Sequence, residues 1–189
     1  MEAAEFAALL QAWAAGDTQA GDRLYVNAYD ELKTVASRSL RAYGRGDQLS
    51  TTLLVNECYL KLARSGAVNS DTRQHFLALC ARAMRQIIVD SARRQLAAKR
   101  GAGGPALKLE DLGAEAGASL ALGPEALTAL DQALTDLDRR EPRLARIAEC
   151  RIFSGMECSE IAATFNVTER TVQREWLRVK AILMLVIEV

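Results

Sequence analysis

Hydrophobic residues recur along this chain at three- and four-residue spacing, which is the period of an α-helix with one buried face. The pattern predicts a short N-terminal helix that stops near Gly16, followed by helices at about 20–43, 52–64 and 73–98. A new amphipathic pattern starts near residue 125 and continues toward the C-terminal end. The sequence lacks the strict alternation that indicates a strand. We therefore expect an all-α protein.

The helix predicted at about 73–98 carries an apolar stripe and a basic one. Its inner face is predicted to consist of Phe76, Cys80, Ala83, Met84 and Ile87. Arg82, Arg85 and Arg93 should form one basic stripe opposite that core. Residues 72–101 contain seven lysines or arginines and one acid, whereas residues 102–129 contain one lysine and four acids. Charge is therefore segregated along a chain whose formal net charge is zero.

Glycine and alanine dominate residues 101–124, where the helical pattern is interrupted. This composition predicts a flexible, acidic linker. The linker would join an N-terminal helical domain at residues 1–100 to a C-terminal helical domain at residues 125–189.

Residues 159–180 have the spacing of two helices crossed at a tight turn. Asn166 occupies the turn, where a left-handed backbone is needed and asparagine tolerates it better than most residues. On the second helix Val172, Trp176 and Val179 should face inward. The opposite, exposed face is predicted to carry Arg170, Gln173, Arg174 and Arg178. An ordinary solvated face would also fit the arginines alone, but the complete two-helix pattern favours a helix-turn-helix that contacts DNA.

Other kinds of chemistry find little support in the sequence. Cys58, Cys80, Cys150 and Cys158 lack the close paired spacing of a zinc site and are interpreted as small apolar residues in a reducing compartment. We expect no metal, no cofactor and no enzymatic activity, because the chain has one histidine, no glycine-rich phosphate loop and no nucleophile motif. No apolar run reaches the length of a membrane span, and the acidic start is unlike a signal peptide, so a cytoplasmic location is expected.

Four segments occur in an order that resembles the extracytoplasmic-function group of bacterial sigma factors. They are GDTQAGDRLYVNAYDEL, LLVNECYLKLAR, HFLALCARAMRQIIVDSARRQ and CSEIAATFNVTERTVQREWLRVKAIL. The resemblance implies that core RNA polymerase and promoter DNA are the partners, with the N-terminal domain opening the minus-ten element and the C-terminal domain binding the minus-thirty-five element. It also implies that the acidic linker runs through the RNA exit path, although an ordinary solvated tether fits equally well. A free-standing helix-turn-helix regulator is the alternative, but it would not need the basic helix.

The resemblance also assigns residues of the basic helix to the minus-ten element. The DNA-contacting set it implies is Arg82, Arg85, Gln86, Asp90, Arg93 and Arg94. The loop 65–72 would receive a flipped base. Gln86 stands where the family commonly has asparagine, and His75 and Phe76 are the nearest flat side chains, so we expect base capture by stacking to be weak.

The helix at about 52–64 resembles the polymerase-docking helix of that family. The docking residues implied are Thr51, Leu54, Asn56 and Glu57. The acidic cluster that normally opens this helix is replaced by Ser50, Thr51, Thr52 and Leu53. One of these hydroxyls can cap the helix. In lacking the acidic cluster, the chain also resembles a subgroup of the family whose members are switched on by a serine/threonine kinase. Thr51 is then the first candidate for phosphorylation, with Ser50 and Thr52 as alternates.

Overall fold

The computed structural model describes residues 1–42, 49–65, 70, 72–99 and 122–187, and every regular element within them is helical. This confirms the all-α prediction. The helices, in chain order, are α1 (Ala3–Ala14), α2 (Thr18–Ala42), α3 (Thr51–Ser65), α4 (Arg73–Lys99), α5 (Pro124–Arg140), α6 (Pro142–Glu149), α7 (Cys158–Phe165) and α8 (Glu169–Ile187). A π-helical turn, Cys150–Ser154, follows α6. Within the described ranges no helix is both long enough and apolar enough to cross a membrane.

Helices α1 and α2 meet at a tight turn that brings them into close contact. Gly16 has a φ of 101°, a left-handed conformation that glycine adopts without steric conflict. The Asp17 carboxylate accepts two backbone N–H groups from the first turn of α2, at 2.9 and 3.2 Å. Trp13 packs so tightly on α2 that a Cβ on Gly21 would lie 2.6 Å from the indole Nε1. Glycine at position 21 therefore allows α1 to lie against α2.

Helix α4 is buried on two sides, which widens its apolar face beyond the predicted stripe. Phe76, Cys80, Ala83 and Met84 are buried as predicted. Ile88, not Ile87, completes the fully buried line, because it follows Met84 by four residues. Ala81, Val89 and Ala92 are also buried. Helix α4 packs on α2 and α3 and also contacts α5, α6 and the π-helical turn.

The C-terminal half is a set of shorter helices with clear local start and stop signals. Pro124 and Pro142 stand at the first positions of α5 and α6, where the missing N–H is harmless. The π-helical turn ends at Gly155, whose φ is 60°. Helix α7 begins with a capping box in which the Glu157 N–H donates to Glu160 Oε2 at 2.6 Å.

The two halves of the chain share one continuous buried core. Apolar residues from α1–α4 and from α5, α6 and α8 belong to the same cluster. The Ser39 hydroxyl donates to the Phe153 carbonyl, and Arg38 Nη1 donates to the Ser154 carbonyl at 3.4 Å. The division into domains at 1–100 and 125–189 stays a prediction. The linker predicted at 101–124 lies outside the described residues, apart from its last three positions.

The four cysteines are free thiols, and Cys58, Cys80 and Cys150 are buried. Burial, helped by the neighbouring Glu149 carboxylate, raises the pKa of Cys150 to about 12. The Cys150 thiol is therefore neutral and packs as a small apolar group, in line with the interpretation of the cysteines from the sequence. In the part of the chain that the structure describes, no group of histidine, cysteine and acidic side chains is arranged to hold a metal ion.

Candidate nucleic-acid interface

Helices α7 and α8 meet at a turn built around Asn166. This residue has φ 52° and ψ 49°, the left-handed conformation predicted for it. Both the Asn166 N–H and the Val167 N–H donate to the Ala162 carbonyl, the second at 3.0 Å, which closes the end of α7. The Thr168 hydroxyl accepts the Thr171 N–H at 3.2 Å and so begins α8. The turn therefore fixes the angle at which α8 leaves α7.

The outer face of α8 carries the side chains that the sequence predicted there. Val172 and Val179 are fully buried and Trp176 is half-buried, while Arg170, Gln173, Arg174 and Arg178 are exposed. Arg178 donates to Glu141 at 2.6 Å, and Gln173 donates to Glu169 at 3.2 Å. Arg170 and Arg174 form no ion pair with any other described residue. Two guanidinium groups are therefore free to contact an anionic ligand.

Ion pairs and a ring contact hold α8 in place from its inner side. The Arg143 guanidinium donates to both carboxylate oxygens of Glu175, and that hydrogen bonding raises the pKa of Arg143. The Arg151 guanidinium lies 5.7 Å from the centre of the Trp176 ring. These contacts anchor α8 to α6 and the π-helical turn, and they leave its outer face uncovered.

The arginines of the predicted basic stripe of α4 are paired with acids of the C-terminal half of the chain, although Arg93 stays exposed. Arg82 pairs with Asp138 at 3.2 Å, and Arg93 pairs with Asp131 at 2.9 Å. Arg85 is only 6% exposed. The three arginines do share one side of α4, but that side faces the acids of α5 and α6. The prediction of one basic stripe opposite the core is therefore wrong for Arg85, which is buried.

Arg85 lies at the centre of this contact and is bound by two carboxylates. Its Nε and Nη2 donate to Asp131 Oδ1 at 3.0 and 2.7 Å, and its Nη1 donates to Glu149. Nη2 also donates to the Asp131 carbonyl at 2.9 Å. Burial raises the pKa of Glu149, although the charge of Arg85 opposes that effect. The guanidinium group is thus saturated by protein acceptors.

The remaining residues of the predicted minus-ten set lie on other sides of α4. Gln86, Asp90 and Arg94 are exposed, and Arg94 donates to the carbonyl of Asp90 at 3.3 Å. Phe76 is buried, with its ring 5.7 Å from that of Phe6 in an edge-to-face contact, so it offers no surface for stacking a base. His75 is half-buried. Most of the loop predicted to receive a base lies outside the described residues.

Helix α3 presents the predicted docking residues in different ways. Ser50 Oγ accepts the Leu53 N–H at 3.1 Å, so Ser50 is the residue that caps the helix. Thr51 is half-buried and Glu57 is exposed. The assignment of Leu54 to docking is wrong for this structure, because Leu54 is fully buried in the core.

Helices α2 and α3 also expose apolar side chains that sequence reasoning missed. Leu53 and Leu60 are 41% and 42% exposed and lie seven residues apart, two turns along the same helix face. On α2, Val26 is 72% exposed. It follows Tyr25, whose hydroxyl donates to the exposed Asn56 of α3. We call Val26, Leu53, Asn56, Glu57 and Leu60 the α2–α3 surface. The sequence did contain a signal for this surface, because Leu53 and Leu60 are apolar residues that fall outside the helical spacing of the buried positions.

The acids that pair with the arginines of α4 were also missed by sequence reasoning. Asp131 and Asp138 are seven residues apart, so they lie on one face of α5. Glu149 is the last residue of α6 and is buried, although the same helix carries Arg143 and Arg146. A buried carboxylate requires a cationic partner. Neither the burial of Glu149 nor the identity of its cation follows from so polar a segment.

Comparison with known proteins identifies the class to which this arrangement belongs. A family model described as ECF sigma factor matches residues 3–185, so the chain belongs to the ECF sigma factor family. Members of this family bind RNA polymerase and promoter DNA and direct promoter-specific transcription. The chain is similar to the solved structure of CnrH in complex with the cytosolic domain of CnrY, with 15% identity, a TM-score of 0.41 and 97% of each chain covered. No curated protein matches the sequence.

Proposed function

We propose that this protein is a sigma factor whose N-terminal half docks on core RNA polymerase and whose two halves contact the two promoter elements. The observation that carries the proposal is the family match over residues 3–185, which spans the docking helix, the basic helix and the α7–α8 pair. The exposed surfaces of the molecule support the assignment of a partner to each part.

Contact with the minus-thirty-five element is assigned to the outer face of α8. Arg170, Gln173, Arg174 and Arg178 provide guanidinium and amide groups, which recognise guanine and adenine edges or bind phosphates. Helix α8 begins at a tight turn after α7, as the second helix of a helix-turn-helix does.

Contact with the minus-ten element is assigned to α4. Gln86 and Arg94 are exposed on the helix, whereas Arg82, Arg85 and Arg93 are paired with acids of the C-terminal half. Strand opening needs cations to neutralise phosphates and flat groups to hold bases. Helix α4 supplies the cations, provided that their present partners leave.

Polymerase docking is assigned to the α2–α3 surface together with Thr51 at the start of α3. Helix α3 has no acidic residue in its first turn, and Glu57 is the acid next along the helix. A phosphate on Thr51 would add about −1.5 to −2 charge at the positive end of the helix dipole. Because Ser50 already caps α3, its hydroxyl has a structural role that Thr51 does not share. We therefore propose Thr51 as the site at which a serine/threonine kinase activates docking, with Ser50 and Thr52 as alternates.

The test compares the affinity for core RNA polymerase of the unmodified protein, the protein carrying phosphothreonine at position 51, and Thr51→Ala. One new charge-assisted hydrogen bond contributes about 1.5–3 kcal/mol, so phosphorylation should tighten binding at least about tenfold. Thr34→Ala is the matched control, because Thr34 is exposed on α2 and bonds only to its own helix.

Each component of the proposal has its own contradicting result. Tight docking of the unmodified protein, undiminished in Thr51→Ala, would leave helix capping as the role of the hydroxyl cluster. Promoter binding with no affinity for core polymerase in either state would instead indicate a free-standing regulator. Transcription from a cognate promoter, measured with purified core polymerase, would support the sigma-factor assignment.

A further inference from the structure

The outer face of α8 carries two rows of side chains with different chemistry. Residues four apart on a helix lie nearly above one another, so they follow a single row. One row consists of Arg170, Arg174 and Arg178, and the other consists of Glu169, Gln173 and Leu177. The first row is entirely cationic. The second row places an amide and an apolar side chain beside it.

The orientation of the Gln173 amide is determined by Glu169. Gln173 Nε2 donates to Glu169 Oε1 at 3.2 Å. Because a carboxylate only accepts hydrogen bonds, the amide turns its NH₂ group toward Glu169 and its carbonyl oxygen away from it. Among the described residues, the Gln173 side chain makes no other hydrogen bond. Its carbonyl oxygen and its second N–H are therefore available to a ligand.

This pair of groups matches one base better than the others. In the major groove adenine offers the N6 amino group as a donor beside the N7 acceptor, which fit an amide oxygen and an amide N–H. Guanine presents two acceptors, O6 and N7, so the amide oxygen would face another acceptor. Cytosine has a donor without the neighbouring acceptor, and thymine has an acceptor beside a methyl group. The orientation of Gln173 therefore favours adenine.

Leu177 is the apolar member of the same row and is 62% exposed. Exposed apolar residues that are scattered singly over a surface are common. Leu177 differs because it lies one turn after Gln173 and three residues after the unpaired Arg174, inside the face assigned to DNA. The rise of about 1.5 Å per residue places it about 6 Å from Gln173 along the helix axis. The apolar group that base edges display in the major groove is the thymine methyl.

We propose that Gln173 and Leu177 form a subsite that reads A·T base pairs. The Gln173 amide binds adenine, and Leu177 packs on a thymine methyl group one or two base pairs away. Glu169 is a positioning residue that holds the amide in the orientation adenine requires. This inference rests on the proposed contact of α8 with promoter DNA, and it adds which bases the second row selects.

The test uses the full chain without polymerase, because the outer face of α8 is uncovered in this structure. Selection from a random duplex library gives the preferred site, and fluorescence anisotropy then measures affinity for altered duplexes. Deoxyuridine replaces each thymidine in turn and removes only the methyl group, while 7-deazaadenine removes only the N7 acceptor. Leu177→Ala and Gln173→Ala are compared with the unaltered protein. Leu60→Ala is the matched control, because Leu60 is an exposed leucine on α3.

We expect one thymine at which deoxyuridine weakens binding about fourfold, which is the effect of losing one buried methyl group. Leu60→Ala should show the same loss, whereas Leu177→Ala should bind both duplexes equally. At one adenine, 7-deazaadenine should weaken binding about two- to tenfold through loss of one hydrogen bond. Gln173→Ala should not distinguish those two duplexes.

Variants of Glu169 separate positioning from charge. Glu169→Ala removes a negative charge near DNA, which should tighten binding to every duplex. It also frees the Gln173 amide to rotate, so the preference for adenine over guanine at that position should fall. Glu169→Gln removes the charge but keeps an acceptor for Gln173 Nε2, so it should retain the preference. A uniform gain in affinity with unchanged preference in both variants would show that Glu169 does not orient Gln173.

Three other results would overturn the inference. The first is a selection that yields no preferred site. The second is a deoxyuridine effect that persists in Leu177→Ala, and the third is a 7-deazaadenine effect that persists in Gln173→Ala. All of these measurements are made on duplex DNA alone. Failure of the sigma-factor assignment would appear separately, as the inability of the unaltered protein to support transcription by core polymerase.

Discussion

Arg85 carries a permanent charge at a site where little water reaches it, and this single residue links three helices. The guanidinium group is compensated by Asp131 of α5 and Glu149 of α6. A buried ion pair adds little net stability compared with apolar residues of the same size, because both charges lose their hydration. Removing one partner is different, since it leaves the remaining charge buried and unpaired. The cluster therefore makes the contact specific and makes it sensitive to loss of a single group.

We predict that Arg85→Ala lowers the free energy of unfolding by about 3–5 kcal/mol, because two buried carboxylates lose their cation. Arg94→Ala, on the exposed side of the same helix, should change it by no more than about 0.5 kcal/mol. Urea denaturation followed by circular dichroism measures both. Equal, small effects of the two substitutions would show that Arg85 is hydrated in solution. Because Arg85 supports the fold, Gln86 and Arg94 are better positions at which to test contact with the minus-ten element.

At the scale of the helices, hydrophobic period and capping chemistry were sufficient to predict most of the architecture. Gly16, Asn166 and the apolar line through Phe76 and Cys80 all have the roles that local rules assign to them. The predictions for α3 and α4 failed at Leu54 and Arg85, which were expected to be exposed and are buried. Helical spacing identifies which residues share a face, but it does not show what that face packs against.

The outer face of α8 yields a prediction at the same scale. Arg174→Ala should weaken binding to a cognate minus-thirty-five duplex by about 1–3 kcal/mol if the side chain reads a base, and should weaken binding to all duplexes evenly if it contacts phosphate. The fold should be unaffected, since Arg174 is exposed and unpaired among the described residues. Arg139→Ala, an exposed arginine at the end of α5, is the control. Fluorescence anisotropy with cognate and scrambled duplexes measures the difference.

A broader substitution decides whether α8 presents this face to DNA at all. Simultaneous replacement of Arg170, Gln173, Arg174 and Arg178 by alanine should abolish sequence-specific binding. Unchanged affinity in that variant would place DNA on another surface of the C-terminal half.

For the whole molecule, the decisive contacts are those that join distant parts of the sequence. Charge segregation along the chain was visible from composition, with a basic helix followed by acids. The pairing of Arg82 with Asp138, and of Arg85 with Glu149, spans 56 and 64 residues. Local patterns carry no information about such pairings, since helix period and charge are the same whether the halves are apart or together. The sequence therefore predicted the basic residues of α4 but not their pairing with acids of α5 and α6.

The shared core leads to a prediction about cooperativity. Buried residues of both halves form one cluster, while a smaller cluster of Ile147, Cys150, Met156, Ile161, Ala162 and Val172 lies within the C-terminal half. The unaltered protein should therefore unfold in one calorimetric transition, with calorimetric and van't Hoff enthalpies equal. The Asp131→Asn, Glu149→Gln variant should show two transitions, because the smaller cluster then melts separately. Asp136→Asn is the control and should keep one transition, because Asp136 pairs only with residues of its own helix. Two resolved transitions in the unaltered protein would mean that the halves fold independently, as the predicted domains at 1–100 and 125–189 require, and that their contact is too weak to couple them.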